Sequence, residues 1–295
     1  MSSPYDSTEC VLPAELESRY GRLRHLLREI GSVAVGLSGG VDSTLLLRVA
    51  QDEPGVRVVA VVGESEAFPA GEVEEAVRLA GEMGAEVVRV RTHELANPHF
   101  AVNRPDRCYH CKTELFGELK RVAADLGLNA AADGSHAEDG LAGDHRPGLE
   151  AGAELQVRSP LREAGFTKAN IRDLARALGL RNWDKPSFAC LSSRFPYGTT
   201  ITAELLARLD ACEQLLRELG FRQFRVRHHD TVARIELEPG DIPRAVDLRA
   251  TIVAGFRRCG YTYVSLDLEG YRSGKMNDTL TLLSKPPTRA AGEHG

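Results

Sequence analysis

The chain has 295 residues, 42% of them hydrophobic and 27% charged, with a formal charge of −5. That length makes two domains the natural expectation, and the acidic balance argues against a sequence-wide basic surface for nucleic acid. No apolar run approaches the roughly 20 residues of a membrane span and the first residues show no leader pattern. Six cysteines are too scattered for a disulfide scaffold, so a cytoplasmic protein with reduced thiols is expected.

Residues 1–12 read as disordered. Residues 13–30 form an amphipathic helix, with Leu16, Tyr20, Leu23, Leu26, Leu27 and Ile30 at helical spacing. The apolar run 33–37 is a strand that ends in Ser38-Gly39-Gly40-Val41-Asp42-Ser43, and a helix follows at once. Strand, glycine turn and helix stack backbone N–H groups at a helix N-terminus, where the macrodipole favours an anion. Gly39 and Gly40 let the main chain approach a phosphate, Ser38 and Ser43 add hydroxyls, and Asp42 is a candidate ligand for a magnesium ion. The loop lacks the lysine of G-x-x-x-x-G-K-[ST] and the spacing of G-x-G-x-x-G, which weakens kinase-type and dinucleotide readings.

Further strands are predicted over 56–62, 85–90 and 129–133, with helices over 71–83 and 110–126 between them. Strands alternating with helices imply a parallel sheet with ligands beyond the C-terminal strand ends, which puts 38–43, 63–65 and 133–136 around one nucleotide pocket. Residues 134–148 read as a polar loop, 156–161 as a short strand and 167–178 as a helix. After residue 199 the pattern changes. A helix over 202–219 is followed by alternating strands at 224–227 and 231–237, with His228, His229 and Asp230 as their turn. A helix over 242–259 and a strand over 261–268 complete a small α+β domain with one solvated sheet face. The tail from 285 reads as disordered.

Cys190 lies in an aperiodic segment with two prolines, 183–198, between the two domains. Lys185 and Arg194 flank it, a setting that favours thiolate. Arg225 and Arg227 alternate on a strand, so both point to one face, an arrangement suited to a phosphate. Cys108 and Cys111 form a C-x-x-C at a helix start; with no second pair to complete a zinc site, a structural turn is the simplest reading.

The Ser38–Ser43 run resembles the PP-loop of the ATP pyrophosphatases, which split ATP between its α and β phosphates. Over most of its length the chain resembles the LarE family. The likeness runs through Arg107-Cys108-Tyr109-His110-Cys111-Lys112, Asp144-His145-Arg146-Pro147-Gly148 and Cys190-Leu191-Ser192-Ser193-Arg194-Phe195-Pro196-Tyr197-Gly198 to the Arg225/Arg227 pair. The resemblance implies a parallel-sheet PP-loop domain over 13–199 (adenine nucleotide alpha hydrolase-like) and a small α+β substrate or oligomerisation domain over 200–284.

It also implies an ATP- and magnesium-dependent sulfur transferase acting on pyridinium biscarboxylic acid mononucleotide, with Cys190 as sulfur donor left as dehydroalanine. The product would be the thiocarboxylate precursor of the nickel-pincer nucleotide of lactate racemase. Ser38, Gly39, Gly40, Val41, Asp42, Ser43 and Lys185 would bind ATP, Arg225 and Arg227 the substrate phosphate, and Arg194 an acyl or phosphate group. Partners would be copies of itself in a trimer-based assembly and the proteins that mature lactate racemase, with no nucleic acid or membrane. One branch of the family uses an iron–sulfur cluster on converging cysteines; Cys212 and Cys259 fall in helical packing patterns, which favours the sacrificial route. A tRNA thiolase or an amidating ligase is the rival within the superfamily, but neither a basic RNA-binding module nor a glutaminase is evident.

Overall fold

The computed structural model describes residues 12–141, 146–186, 189–272 and 274–275. Leu12 apart, the segments expected to be disordered lie outside the described residues, as do Asp144 and His145 of the polar loop. The chain divides into two compact units, one running to residue 190 and including 200–203, the other comprising 191–199 and the chain from 204.

The first unit is α/β. Helix α1 (Ala14–Ile30) buries Leu16, Leu23, Leu27 and Ile30 and closes on Gly31, whose φ of 73° suits a residue without a Cβ. Strand β1 (Ser32–Gly36), helix α2 (Val41–Asp52), strand β2 (Arg57–Glu64), helix α3 (Ala70–Glu82) and strand β3 (Glu86–Arg91) follow. After α4 (Pro98–Ala101) and α5 (Arg107–Asp125) comes the short β4 (Ala130–Ala132). Three helices close the unit: α6 (Gly148–Glu154), α7 (Pro160–Glu163) and α8 (Lys168–Ala177).

The strands pair in parallel in the order β3-β2-β1-β4. Strand side chains alternate between faces, and two apolar clusters result. Val33 and Val35 join Leu27 of α1, Leu45 and Leu46 of α2, Ala80 of α3 and Leu174 of α8. Ala34, Val59 and Val61 join Phe116 and Leu119 of α5. The strand order turns back between β1 and β4, so the loops after these two strands flank the crevice where a parallel sheet takes its ligand.

The second unit contains α9 (Ala203–Glu218), the hairpin β5 (Phe224–His229) and β6 (Val232–Leu237), α10 (Ile242–Asp247), α11 (Arg249–Arg258) and β7 (Tyr263–Leu266). Strands β5 and β6 are antiparallel, whereas β6 and β7 are parallel.

Four local expectations change. The predicted strand at 156–161 is reduced to one bridge, Ala132 to Arg158, because Gln156 takes φ 55° and Pro160 starts α7. The predicted helix 242–259 breaks at Leu248, which ends α10 and precedes α11 with ψ near 8°. His228 and His229 are the last residues of β5 rather than its turn; Asp230 turns the chain at φ 51°. Strand β5 has no solvated face: residues 224–228 are all buried, since its arginines find partners inside the unit.

Candidate active site

The loop after β1 is shaped by its own serines. Ser38 N donates to Ser43 Oγ at 3.2 Å, the two hydroxyls lie 3.1 Å apart, and Ser43 Oγ donates to the Gly40 carbonyl at 3.3 Å. The intrahelical ladder of α2 begins with Thr44 N to Gly40 O at 3.1 Å. The N–H groups of Val41, Asp42 and Ser43 therefore project from the helix end, a ready anion cradle.

Gly39 has φ 72°, which a side chain would strain. A Cβ there would also come within 3.3 Å of the Glu72 carbonyl on α3. Its own carbonyl is gripped by Asn182 Nδ2 at 3.2 Å and Lys185 Nζ at 3.1 Å. Asn182 also donates to Thr44 Oγ1 at 3.0 Å, and Lys185 pairs with Glu72 Oε2 at 2.6 Å. Lys185, read from the sequence as a phosphate ligand, thus braces the back of the loop.

Residues 133–136, placed beside the loop by the sequence, do approach it, and two further contributors, Lys168 and Asn182, were not found in the sequence. Gly134, beyond β4, lies so close to α2 that a Cβ would stand 2.7 Å from Ser43 N. Asp133 fixes that approach by accepting from Ser135 N at 3.1 Å and from Ser159 Oγ at 2.7 Å. Lys168, the first residue of α8, places Nζ 2.6 and 2.7 Å from the two carboxylate oxygens of Asp42. The Lys168 N–H donates to Glu138 at 2.6 Å. Asn182 completes the set. No motif signals Lys168 or Asn182, because their contacts with the loop join segments 126 to 143 residues apart.

Cys190 belongs to the same unit and is a partly buried thiol outside any disulfide. Cys108 and Cys111, on the first turn of α5, lie within its electrostatic reach. Burial pushes the Cys108 thiol up, and negative charge at Cys190 pushes it further. Burial also raises Cys111 well above the usual thiol range, with Glu94 and then Cys190 adding to it. Cys111 Sγ contacts Glu94 Oε1 at 3.6 Å, and that buried carboxylate also accepts from Thr92 Oγ1 at 2.9 Å. The C-x-x-C, read from the sequence as a structural turn, opens α5 and lies within charge reach of the reactive-cysteine candidate. Cys212 and Cys259, both free thiols, share a hydrogen bond in the second unit.

The predicted phosphate-binding arginines sit in the second unit. Arg227 donates to Ser193 O at 2.7 Å and to Glu236 Oε2 at 2.9 Å. Arg225 stacks its guanidinium 5.0 Å over the Tyr271 ring. Burial, then the charge of Arg194, pulls Arg225 down to about 10. Arg194, read as an acyl or phosphate contact, is fully buried and grips Glu213 at 2.8 and 2.9 Å. Burial alone would raise Glu213, but Arg194 and the Val226 N–H bring it below the usual carboxylate range.

No protein-family model matches the chain. An uncharacterized protein of Synechocystis is 43% identical over 268 residues, covering 90% of this chain and 99% of that one. The pyridinium-3,5-bisthiocarboxylic acid mononucleotide synthase of Lactiplantibacillus plantarum is 42% identical over 269 residues, covering 91% and 97%. A glutamine-hydrolyzing GMP synthase of Aeropyrum pernix is 29% identical over 178 residues, 54% of this chain and 34% of that protein. That likeness accords with a PP-loop sheet. With near-complete coverage on both sides and the cradle in place, the chain belongs to the LarE family of PP-loop proteins.

Proposed function

We propose that this protein is an ATP-dependent sulfur transferase that converts a carboxylate of pyridinium biscarboxylic acid mononucleotide to a thiocarboxylate, using the sulfur of Cys190. The observation that carries the reading is a phosphate cradle and a thiol within one compact unit, in a chain alike over nearly its whole length to a bisthiocarboxylate synthase.

The N–H groups at the start of α2, with Ser38 and Ser43, hold the phosphates of ATP. The bracing of Gly39 by Asn182 and Lys185 keeps those donors aimed before substrate arrives. The Asp42 carboxylate already grips a cation at the cradle, so it fits magnesium, which would shield charge on the phosphate oxygens. The substrate carboxylate attacks the α-phosphate, forming an acyl adenylate and releasing pyrophosphate. The Cys190 thiolate attacks the acyl carbon and expels AMP, leaving a thioester. Removal of the Cys190 Cα proton then breaks its Cβ–S bond; the sulfur leaves with the product and dehydroalanine remains. Arg225 and Arg227 hold the phosphate of the substrate mononucleotide, and such a dianion offsets the burial and the Arg194 charge that lower Arg225. The family resemblance supports a cytoplasmic, trimer-based homo-oligomer working with lactate racemase maturation proteins. None of the described helices is long and apolar enough to cross a membrane.

Intact-protein mass before and after turnover tests the reading. Wild type should lose one hydrogen sulfide, about 34 Da, per chain, and Cys190→Ser should lose nothing. Repeated turnover with no mass loss ends the proposal.

The neighbourhood of Cys108, Cys111 and Cys190 favours a second reading, in which the three cysteines hold an iron–sulfur cluster that supplies sulfide. Among the described residues, however, no group of three His, Cys, Asp or Glu is arranged to hold a metal ion. No step is therefore routed through a cluster. Iron and acid-labile sulfide assayed on the same sample separate the two readings.

A further inference from the structure

A lysine in the first turn of a helix is in an electrostatically poor place, because its charge meets the positive end of the helix macrodipole. Lys168 is the first residue of α8, so its position calls for a local reason. Two carboxylates supply one. Glu138 accepts its backbone N–H at 2.6 Å, and its Nζ lies 2.6 and 2.7 Å from both oxygens of Asp42. The lysine backbone is fixed by the Thr167–Asn170 capping box and by Ile171 and Leu174 in the core against α2. Only the four-carbon arm is left to move. The other lysine at the loop, Lys185, bonds the Gly39 carbonyl and Glu72, so the two cations divide the work: one braces the loop, the other covers its carboxylate.

We propose that Lys168 is a built-in counter-ion that holds the cation position of Asp42 until nucleotide arrives, so that a divalent metal enters this protein preferentially together with its nucleotide. The inference rests on the reading that the cradle binds ATP. In the nucleotide-free protein the ammonium neutralises Asp42, which otherwise would repel the triphosphate and attract free metal ions. When the metal–nucleotide complex binds, the metal takes Asp42 and the displaced ammonium turns to the phosphate oxygens. The exchange is feasible because Lys168 and Asp42 remain 28% and 26% exposed; an ion pair this open handicaps a competitor by only about fivefold. A buried pair would have locked the site.

The test uses Mn²⁺ as probe, with the free ion followed by electron paramagnetic resonance, on the full chain. Wild type should take up about one Mn²⁺ per chain with an ATP analogue uncleavable between the α and β phosphates, and little without it. Lys168→Met and Lys168→Gln should bind Mn²⁺ without nucleotide more tightly than wild type, by up to about fivefold. Adding Asp42→Asn to Lys168→Met should remove that gain. Tm measured on each variant shows that the fold is kept.

The proposal is overturned if neither folded variant gains Mn²⁺ affinity, or if wild type binds Mn²⁺ equally well with and without the analogue. The wild-type comparison stands even if the variants fail to fold. None of these readouts involves sulfur, so they stand apart from the fate of Cys190. Failure of the analogue to bind wild type overturns this inference and the ATP reading together.

Discussion

The Cβ that Gly134 lacks would stand 2.7 Å from the backbone nitrogen of Ser43 and 3.0 Å from its Cα. The loop after β4 is thus pressed against the first turn of α2, and the two loops at the strand-order reversal meet main chain to main chain. The glycine is required by contact and not by its backbone angles, since it is absent from the residues with positive φ.

Gly134→Ala should accordingly damage the cradle. A Cβ this close to backbone atoms forces α2 or the 133–135 turn to move, at a cost of about 1–3 kcal/mol. We expect a lower Tm and at least a tenfold loss of ATP affinity by calorimetry, with the second unit's phosphate binding unchanged. An alanine variant with wild-type affinity would mean that the close approach plays no part in holding nucleotide.

How far the sequence foretells such contacts depends on their range. The apolar runs of β1 and β2 and the Ser38–Ser43 loop are local signals, and the parallel sheet follows from them. Strand β5 misleads for a physical reason. Its alternating arginines look solvated, yet Arg227 is buried because Glu236 pairs with it, a partner visible only once the hairpin is formed. Lys168 and Asn182 are silent for the same reason, since each acts on a residue more than 120 positions away, whereas the approach of 133–136 follows from the strand ends of the parallel sheet. Cys108 and Cys111 carry a motif, but their neighbour Cys190 lies about 80 residues on, and spacing alone describes a turn.

Arg225 makes a prediction about pH and anions. Its folded value of about 10 lies below the ordinary arginine value, chiefly because of burial. Below pH 10 both folded and unfolded chains carry the proton, and the penalty for burying this charge is present in full. Above about 10 the folded state releases the proton before the unfolded chain does, and the penalty is relieved as pH rises. At neutral pH an anion should supply the same relief. Phosphate or a nucleoside monophosphate should raise the Tm of wild type, while Arg225→Gln should be as stable or more so without anion and lose the response. Equal anion stabilisation of both proteins would remove Arg225 from the phosphate site.

Cys108 offers a test of its closeness to Cys190. Burial and the charge at Cys190 both hold its thiol above the ordinary range. Cys190→Ser removes the second contribution, so the Cys108 value should fall and its thiolate fraction at a given pH should rise. Iodoacetamide labelling of Cys108, followed by peptide mass spectrometry from pH 7 to 10, should shift to lower pH in the variant. An unchanged profile would separate the two sulfurs and withdraw the main support for the cluster reading.

Arg194 and Glu213 are both fully buried and joined by two charge-assisted hydrogen bonds at 2.8 and 2.9 Å. Removing one partner strands the other as an uncompensated buried charge, which typically costs about 3–5 kcal/mol. Arg194→Met should therefore destabilise the second unit in urea by that order. The double variant Arg194→Met/Glu213→Leu should regain most of the loss, because a buried ion pair replaced by apolar groups of similar volume is close to neutral. If Arg194 instead served the substrate directly, the double variant would recover stability and still show a much raised KM. Recovery of both stability and KM would make the guanidinium a structural partner of Glu213 and leave substrate phosphate to Arg225 and Arg227.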